Sequence, residues 1–150
     1  MCSHSSVAMS RIWSIEKDAI AIDLEIVSDG VFTFGRSEAF DSDSQPIACF
    51  LREGHTIIAG ATGRTEYLRL FINYLWVKET IRRQGVGQEA LRRIEIAAAE
   101  RGCQDALIET LSDNNADFYH GLGYRPVATI PRFVGRFTRH IMVKPLPPIV

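Results

Sequence analysis

Val77-Lys78-Glu79-Thr80-Ile81-Arg82-Arg83-Gln84-Gly85-Val86-Gly87 is the stretch on which the fold turns. It leaves Tyr67 to Val77, an apolar run rich in aromatic and branched residues that reads as a buried strand. It enters a helical pattern from Val86 to Arg101, with Ala90, Leu91, Ile94 and Ala98 on the apolar side and Gly102 placed to stop it. Gly85 and Gly87 let the backbone turn tightly and put no side chain over the amides. The first helical turn then presents unpaired N–H groups and the positive end of the helix dipole. Such a turn binds pyrophosphate, and Arg82 and Arg83 can add charge contacts. Gln84, Val86 and Gln88 belong to the same candidate segment. The spacing is not the glycine frame of a dinucleotide fold, and the Gly-Lys-Ser/Thr of a nucleoside triphosphate loop is missing.

On the N-terminal side, Arg11 to Glu16 alternates like a first strand. Asp18 to Val27 carries apolar residues near helical spacing, with Asp18 as candidate N-cap, and Asp29-Gly30 is expected to break it. A short helix or loop runs to Phe40, and Asp41 to Pro46 is a polar turn cluster. Ile47 to Arg52 and Thr56 to Arg64 read as strands joined by the tight turn Glu53-Gly54-His55. On the C-terminal side, Ala106 to Thr110 reads as a buried strand and Ala116 to Leu122 as a short helix stopped by Gly123. Tyr124 to Ile130 and Phe137 to Lys144 read as the last two strands. Residues 1–10 read as a loose leader, 11–144 as a single domain and 145–150 as a proline-rich tail. The element order predicts an α/β (α+β) mixed sheet with helices on both faces.

Arg82-Arg83-Gln84-Gly85-Val86-Gly87 fits in full the cofactor motif of the GCN5-related N-acetyltransferase (GNAT) superfamily, which is Gln or Arg, two residues, Gly, one residue, Gly or Ala. Phe118-Tyr119-His120-Gly121-Leu122-Gly123-Tyr124 is similar to a second segment usual in that family. The resemblance spans roughly residues 45–144. It implies a central, mostly antiparallel sheet of about six to seven strands, splayed in the middle, and acetyl-CoA as the acetyl donor. It implies that backbone groups of Leu75-Trp76-Val77 pair with the pantetheine arm, and that an amide there faces the thioester oxygen as it gains negative charge. The side chains of these three residues are left to core packing. Tyr119 resembles the family's general acid, which attends the departing thiolate; the other reading is a core tyrosine with a satisfied hydroxyl. Ser112 stands where many relatives carry an Asn that touches the cofactor, and Asn114 is a further candidate there.

An attacking ammonium must first lose a proton. Where many relatives place a Glu or Asp for this, the chain has Asn73, which cannot accept one, and Tyr74 is expected on the other side of the strand. Glu109 on the neighbouring strand is the next candidate. Glu66 and Asp41 are weaker ones, and a water relay would remove the need for any of them. Asp41, Asn73 and Phe133, the last in the loop Pro131 to Arg136, are candidate acceptor contacts.

The chain of 150 residues has a net charge of −1 that hides an asymmetry. Glu16 to Glu53 holds nine acids against three bases, while no acid follows Asp117 and Arg125, Arg132, Arg136, Arg139 and Lys144 do. Either both regions are solvated surface, or an acidic wall faces a cationic acceptor and a basic wall an anionic cofactor. The chain as a whole is not basic, which speaks against a nucleic-acid partner. No run reaches the roughly 18 apolar residues of a membrane span. The first residues lack the pattern of a signal peptide, so a cytoplasmic location is expected. Cys2, Cys49 and Cys103 read as reduced thiols. His4, His55, His120 and His140 lack metal-ligand spacing, so no metal is expected; His120 is expected to point outward, and His140 could border the acceptor groove. The resulting expectation is direct acetyl transfer, in a ternary complex, to a primary amine of a small cationic molecule such as a polyamine, an amino-sugar or peptidyl-nucleoside antibiotic, or an amino acid. A protein amine, a non-catalytic acyl-CoA-binding module and an enzyme acting on charged transfer RNA are the alternatives. Dimers are common in the family, and a homodimer is open to this chain.

Overall fold

A computed structural model describes residues 9–38 and 44–148, so the leader up to residue 8, the turn residues 39–43 with Asp41, and residues 149–150 lie outside the described residues. Two compact units, residues 1–40 and 41–150, divide the chain. In the first, Arg11 to Glu16 forms no strand. Alternation makes a strand only where a neighbouring edge takes up its N–H and C=O groups, and no pairing with it occurs among the described residues. The helix α1 (Ala21–Glu38) begins three residues after Asp18 and runs unbroken through Asp29-Gly30. A Cβ on Gly30 would meet nothing within 4 Å. A glycine in a helix costs only about 1 kcal/mol, which is too little to end this one.

Among the described residues, the second unit is a six-stranded sheet with the order β1-β2-β3-β4-β6-β5. Its strands are β1 (Gln45–Glu53), β2 (Thr56–Glu66), β3 (Arg69–Val77), β4 (Asp105–Thr110), β5 (Arg125–Val134) and β6 (Phe137–Pro145). The helix α2 (Val86–Glu100) joins β3 to β4, and α3 (Asp113–Gly121) joins β4 to β5. Every pairing is antiparallel except that of β3 with β4. No helix among the described residues is long and apolar enough to cross a membrane.

Several boundaries differ from the sequence expectation for local reasons. Gln45 and Pro46 already belong to β1 rather than to a turn. Tyr67 and Leu68 form the hairpin between β2 and β3, with φ of 52° and 60°. Two consecutive left-handed residues make the turn whose twist suits a two-residue hairpin, and here it is made without the Asn or Gly that signals it. The helix α3 starts at Asp113, because Ser112 caps it by accepting from Asn115 N–H at 3.1 Å. The strand β5 runs on through Pro131 to Val134, with a bulge after Ile130, so the expected loop shrinks to Gly135 and Arg136. At the C-terminus Pro145 pairs with Asp105, and Leu146 is buried with its N–H on Gln104 C=O. The expected tail therefore starts after the core rather than before it.

The helix α2 lays Ala90, Leu91, Ile94 and Ala98 on Ile47, Ala61, Leu70 and Ile72. Full burial of side chains like Leu91 and Ile94 stabilises by about 2 kcal/mol each. The same cluster takes in Ile108, Ala116, Tyr119, Tyr124 and Met142, which ties α3 and β6 to it. One polar group enters this layer. The buried Glu95 of α2 accepts from Tyr124 Oη at 2.9 Å and from Lys144 Nζ at 2.7 Å.

A bulge shapes β3. Ile72 pairs with Gly63 and Tyr74 with Thr62, which leaves Asn73 as the extra residue. A Cβ on Gly63 would lie 2.1 Å from the Phe71 carbonyl oxygen. Only glycine lets the two backbones approach this closely beside the bulge. Gly63→Ala is expected to lower stability by about 1–3 kcal/mol, read as an earlier midpoint in urea unfolding. An unchanged midpoint would mean that the bulge yields without penalty.

Candidate active site

The strands β3 and β4 pair only at Arg69–Asp105, Leu70–Ala106 and Phe71–Leu107. A bidentate ion pair from Arg69 to Asp105, at 2.6 and 2.9 Å, fastens this closed end. Beyond it the strands part. Lys78 N–H bonds Ile58 C=O at 2.8 Å, so Lys78 points its backbone toward β2. By strand alternation Leu75 and Val77 aim their N–H and C=O groups the other way, at the edge β4 has left.

The bulge at Asn73 also resets which side chains face α2. Before it Leu70 and Ile72 are buried; after it Leu75 packs against the core. A Cβ placed on Gly87 would touch side chains of Val77, Phe118 and Leu75 at 3.6 to 3.9 Å. The first turn of α2 therefore sits directly against the free end of β3. Trp76 points away and is half-exposed, which corrects the expectation of core packing for its side chain.

Within α2 the first intrahelical bond is Glu89 N–H to Gly85 C=O at 3.1 Å. The N–H groups of Val86, Gly87 and Gln88 precede it and have no helical partner. Gly85 is the N-cap at φ 79°, with no side-chain cap, and a Cβ there would meet nothing within 4 Å. Arg83 is also left-handed, at φ 64°. Arg82 turns back: its Nε donates to Val77 C=O at 2.9 Å. The acid of this first turn, Glu89, is held by Arg92 and Arg93, whose hydrogen bonds lower its pKa to about 2. Its charge is thereby offset beside a cradle suited to an anion. The open amides, the space over Gly85 and the adjoining free strand edge fit a pyrophosphate followed by a pantetheine arm.

Tyr119 lies in α3 with its ring buried, 5.5 Å from Phe118 and 5.9 Å from Tyr124 between centroids. Among the described residues no hydrogen bond engages its hydroxyl, and that oxygen is not sealed from solvent. Burial raises its pKa, so it is a protonated phenol at neutral pH. Tyr124, by contrast, spends its hydroxyl on Glu95.

The face of the sheet away from α2 carries a cavity of about 710 Å³ bordered by Arg64, Phe71, Asn73, Tyr74, Glu109 and Arg139. Asn73 and Glu109 thus border one cavity. Tyr74 borders the same cavity, because the bulge breaks the alternation that would have turned it away. Arg139 Nη2 donates to Glu109, and its guanidinium stacks over Phe133 at 4.8 Å, linking the β5–β6 hairpin to the carboxylate. Ser112 and Asn114 border a second cavity, of about 790 Å³, with Arg136 and Phe137. Ser112 Oγ is already used as the cap of α3. Gln84, Gly85 and Val86 border a third cavity and Gln88 a fourth. His140 contacts Asp113 at 2.7 Å, and His120 shares its shallow cavity. No cluster among the described residues could hold a metal ion.

Residues 12–124 match the model of the Acetyltransferase (GNAT) family. The chain belongs to that family. It is 33% identical over 91 residues to the blasticidin-S acetyltransferase of Streptomyces morookaense, covering 60% of this chain and 67% of that one. An acetyltransferase structure from Bacillus cereus superposes with a TM-score of 0.82 at 26% identity, covering 89% of this chain and 98% of that one. The fold is shared too with an aminoglycoside 6'-N-acetyltransferase in complex with coenzyme A, at TM-score 0.62 and 18% identity over 91% of this chain and 98% of that one. The protein is an N-acetyltransferase, of a family that uses acetyl-CoA.

Sequence alone does not point to Arg64 and Phe71, and it offers Arg139 only as part of a basic wall toward the cofactor. They meet only through the pairing of β2 with β3 and of β4 with β6, which no local pattern announces. The backbone of Gly85 yields a prediction. Gly85→Val should weaken acetyl-CoA binding by about tenfold or more, because a branched residue resists φ 79°. Gly85→Asn should retain more, since Asn tolerates the left-handed region. Equal affinities by calorimetry for both variants and the parent would remove the cradle from the site.

Proposed function

We propose that this acetyltransferase moves an acetyl group from acetyl-CoA to the primary amine of a small cationic molecule, by direct attack while both substrates are bound. The observation that carries the reading is the parting of β3 from β4. One face of the gap adjoins the free amides of α2 and the free edge of β3; the other adjoins the cavity of Glu109 and Arg139.

When bound, acetyl-CoA supplies the activated acyl carbon. The amides of Val86, Gly87 and Gln88 would hold its pyrophosphate, with Arg83 adding charge. Backbone groups of Leu75 and Val77 would hold the pantetheine arm, and an N–H there would face the carbonyl oxygen as charge builds on it. Arg82 would steady that segment by occupying Val77 C=O. Glu109 would accept the proton of the incoming ammonium, directly or through water, by exchanging it for one of its bonds to Arg139. Tyr119 would hydrogen-bond or protonate the departing sulfur. Asn73 and Phe133 would border the acceptor. The relative named for blasticidin S supports a small antibiotic-type amine over a protein tail.

The test is release of coenzyme A thiol across blasticidin S, aminoglycosides, polyamines, amino acids and peptide N-termini. Small amines are expected to turn over; turnover confined to peptides would overturn the acceptor class. On a working amine, Tyr119→Phe is expected to lower kcat by about 10²-fold. Because burial raises the phenol above its ordinary 10.0, the basic limb that Tyr119 sets should lie above pH 10. Glu109→Gln should lower kcat on the same amine; a rate like that of the parent would place the base elsewhere.

A further inference from the structure

The cavity on the face away from α2 is lined for more than a simple ammonium. Its border holds two guanidiniums, Arg64 and Arg139, and one carboxylate, Glu109. Arg139 is matched by Glu109. Arg64 pairs with Glu66, outside that border, through Nε alone at 3.4 Å, and its two terminal nitrogens make no hydrogen bond among the described residues. An acceptor that brought only positive charge would leave those nitrogens without a partner and would meet two guanidiniums against one carboxylate on the cavity border.

The geometry of Arg64 is that of a prepared anion receptor. Its guanidinium lies 4.1 Å over the Phe71 ring, which restrains the fork while the side chain stays 42% exposed. A guanidinium held against an aromatic face loses less further freedom when it grips a carboxylate with two parallel bonds. Phe71 and Arg64 are cross-strand partners, so the stack is set by sheet register rather than by a loop.

We propose that the acceptor is zwitterionic, and that Arg64, stacked on Phe71, binds its carboxylate while its amine is presented toward Glu109. This rests on the reading of the cleft as the site of transfer to a small amine. It makes Arg64 a specificity residue that works through binding.

The test offers amines in matched pairs, each as the free amino acid and as its methyl ester. Lysine, arginine and β-alanine are the probes, with thiol release measured at saturating acetyl-CoA. In the parent the free acid is expected to have a kcat/KM about tenfold or more above its ester, with the gap in KM. In Arg64→Gln that gap should close, and in Arg64→Lys it should close in part, because a point charge lacks the fork. Unchanged acetyl-CoA affinity in both variants verifies the fold. Thiol release with the same acid-to-ester ratio in the parent and in Arg64→Gln would overturn the role of Arg64 and leave the transfer reading intact. No release from any of these pairs, with release from a polyamine or an aminoglycoside, would overturn this inference alone; no release from any amine by a protein that binds acetyl-CoA would overturn the transfer reading with it.

Discussion

Everything in the sheet depends on how little β3 and β4 hold each other. Three residue pairs and the Arg69–Asp105 ion pair join them. Pairing along their whole length would consume the backbone groups of Leu75 and Val77 in the ladder, and no gap would exist. Without any pairing the sheet would fall into β1–β2–β3 and β4–β6–β5. The short parallel contact is the compromise, and its closed end sits where the tight Tyr67–Leu68 turn brings β3 into register with β2.

The opened end needs another source of rigidity, and the helices give it. The helix α2 lies on the β1–β3 half and reaches the other half through Glu95, which Tyr124 and Lys144 grip from the far side. A buried ion pair is weak grounds for stability in itself. Its geometry matters more here, because Tyr124 also packs edge-on against Tyr119 and its N–H bonds Tyr119 C=O. The ring proposed to serve the leaving sulfur is thus held by residues from α2 and β6. The halves can stand apart on one side because they are bound on the other.

Much of this was legible in the chain. The glycine pair before α2, the apolar period of that helix and the segment around Tyr119 are local signals, and each lies where the pattern placed it. What stayed hidden depended on partners distant in sequence. Arg11 to Glu16 alternates yet finds no edge to pair with among the described residues, and Gly30 was too weak a breaker for α1. The bulge at Asn73 has no signature of its own; its sign is Gly63, ten residues earlier, whose missing Cβ makes room for it. That bulge moved Tyr74 to the cavity. Phe133, read as a loop residue, stacks on Arg139 from the irregular stretch of β5 between Ile130 and Val134, which no local pattern announces.

The outer strands carry one more lesson. The sheet ends at β1 on one side and β5 on the other, and β1 holds Pro46 while β5 holds Pro126 and Pro131. Arg101 further occupies the Pro46 carbonyl from Nη1 at 3.0 Å. A proline offers no N–H to a newcomer, and a bulged, proline-bearing border makes a poor template for a strand from another molecule. A protein that keeps an unzipped seam in mid-sheet, where bare backbone is useful, has its outer hems stitched against the same chemistry.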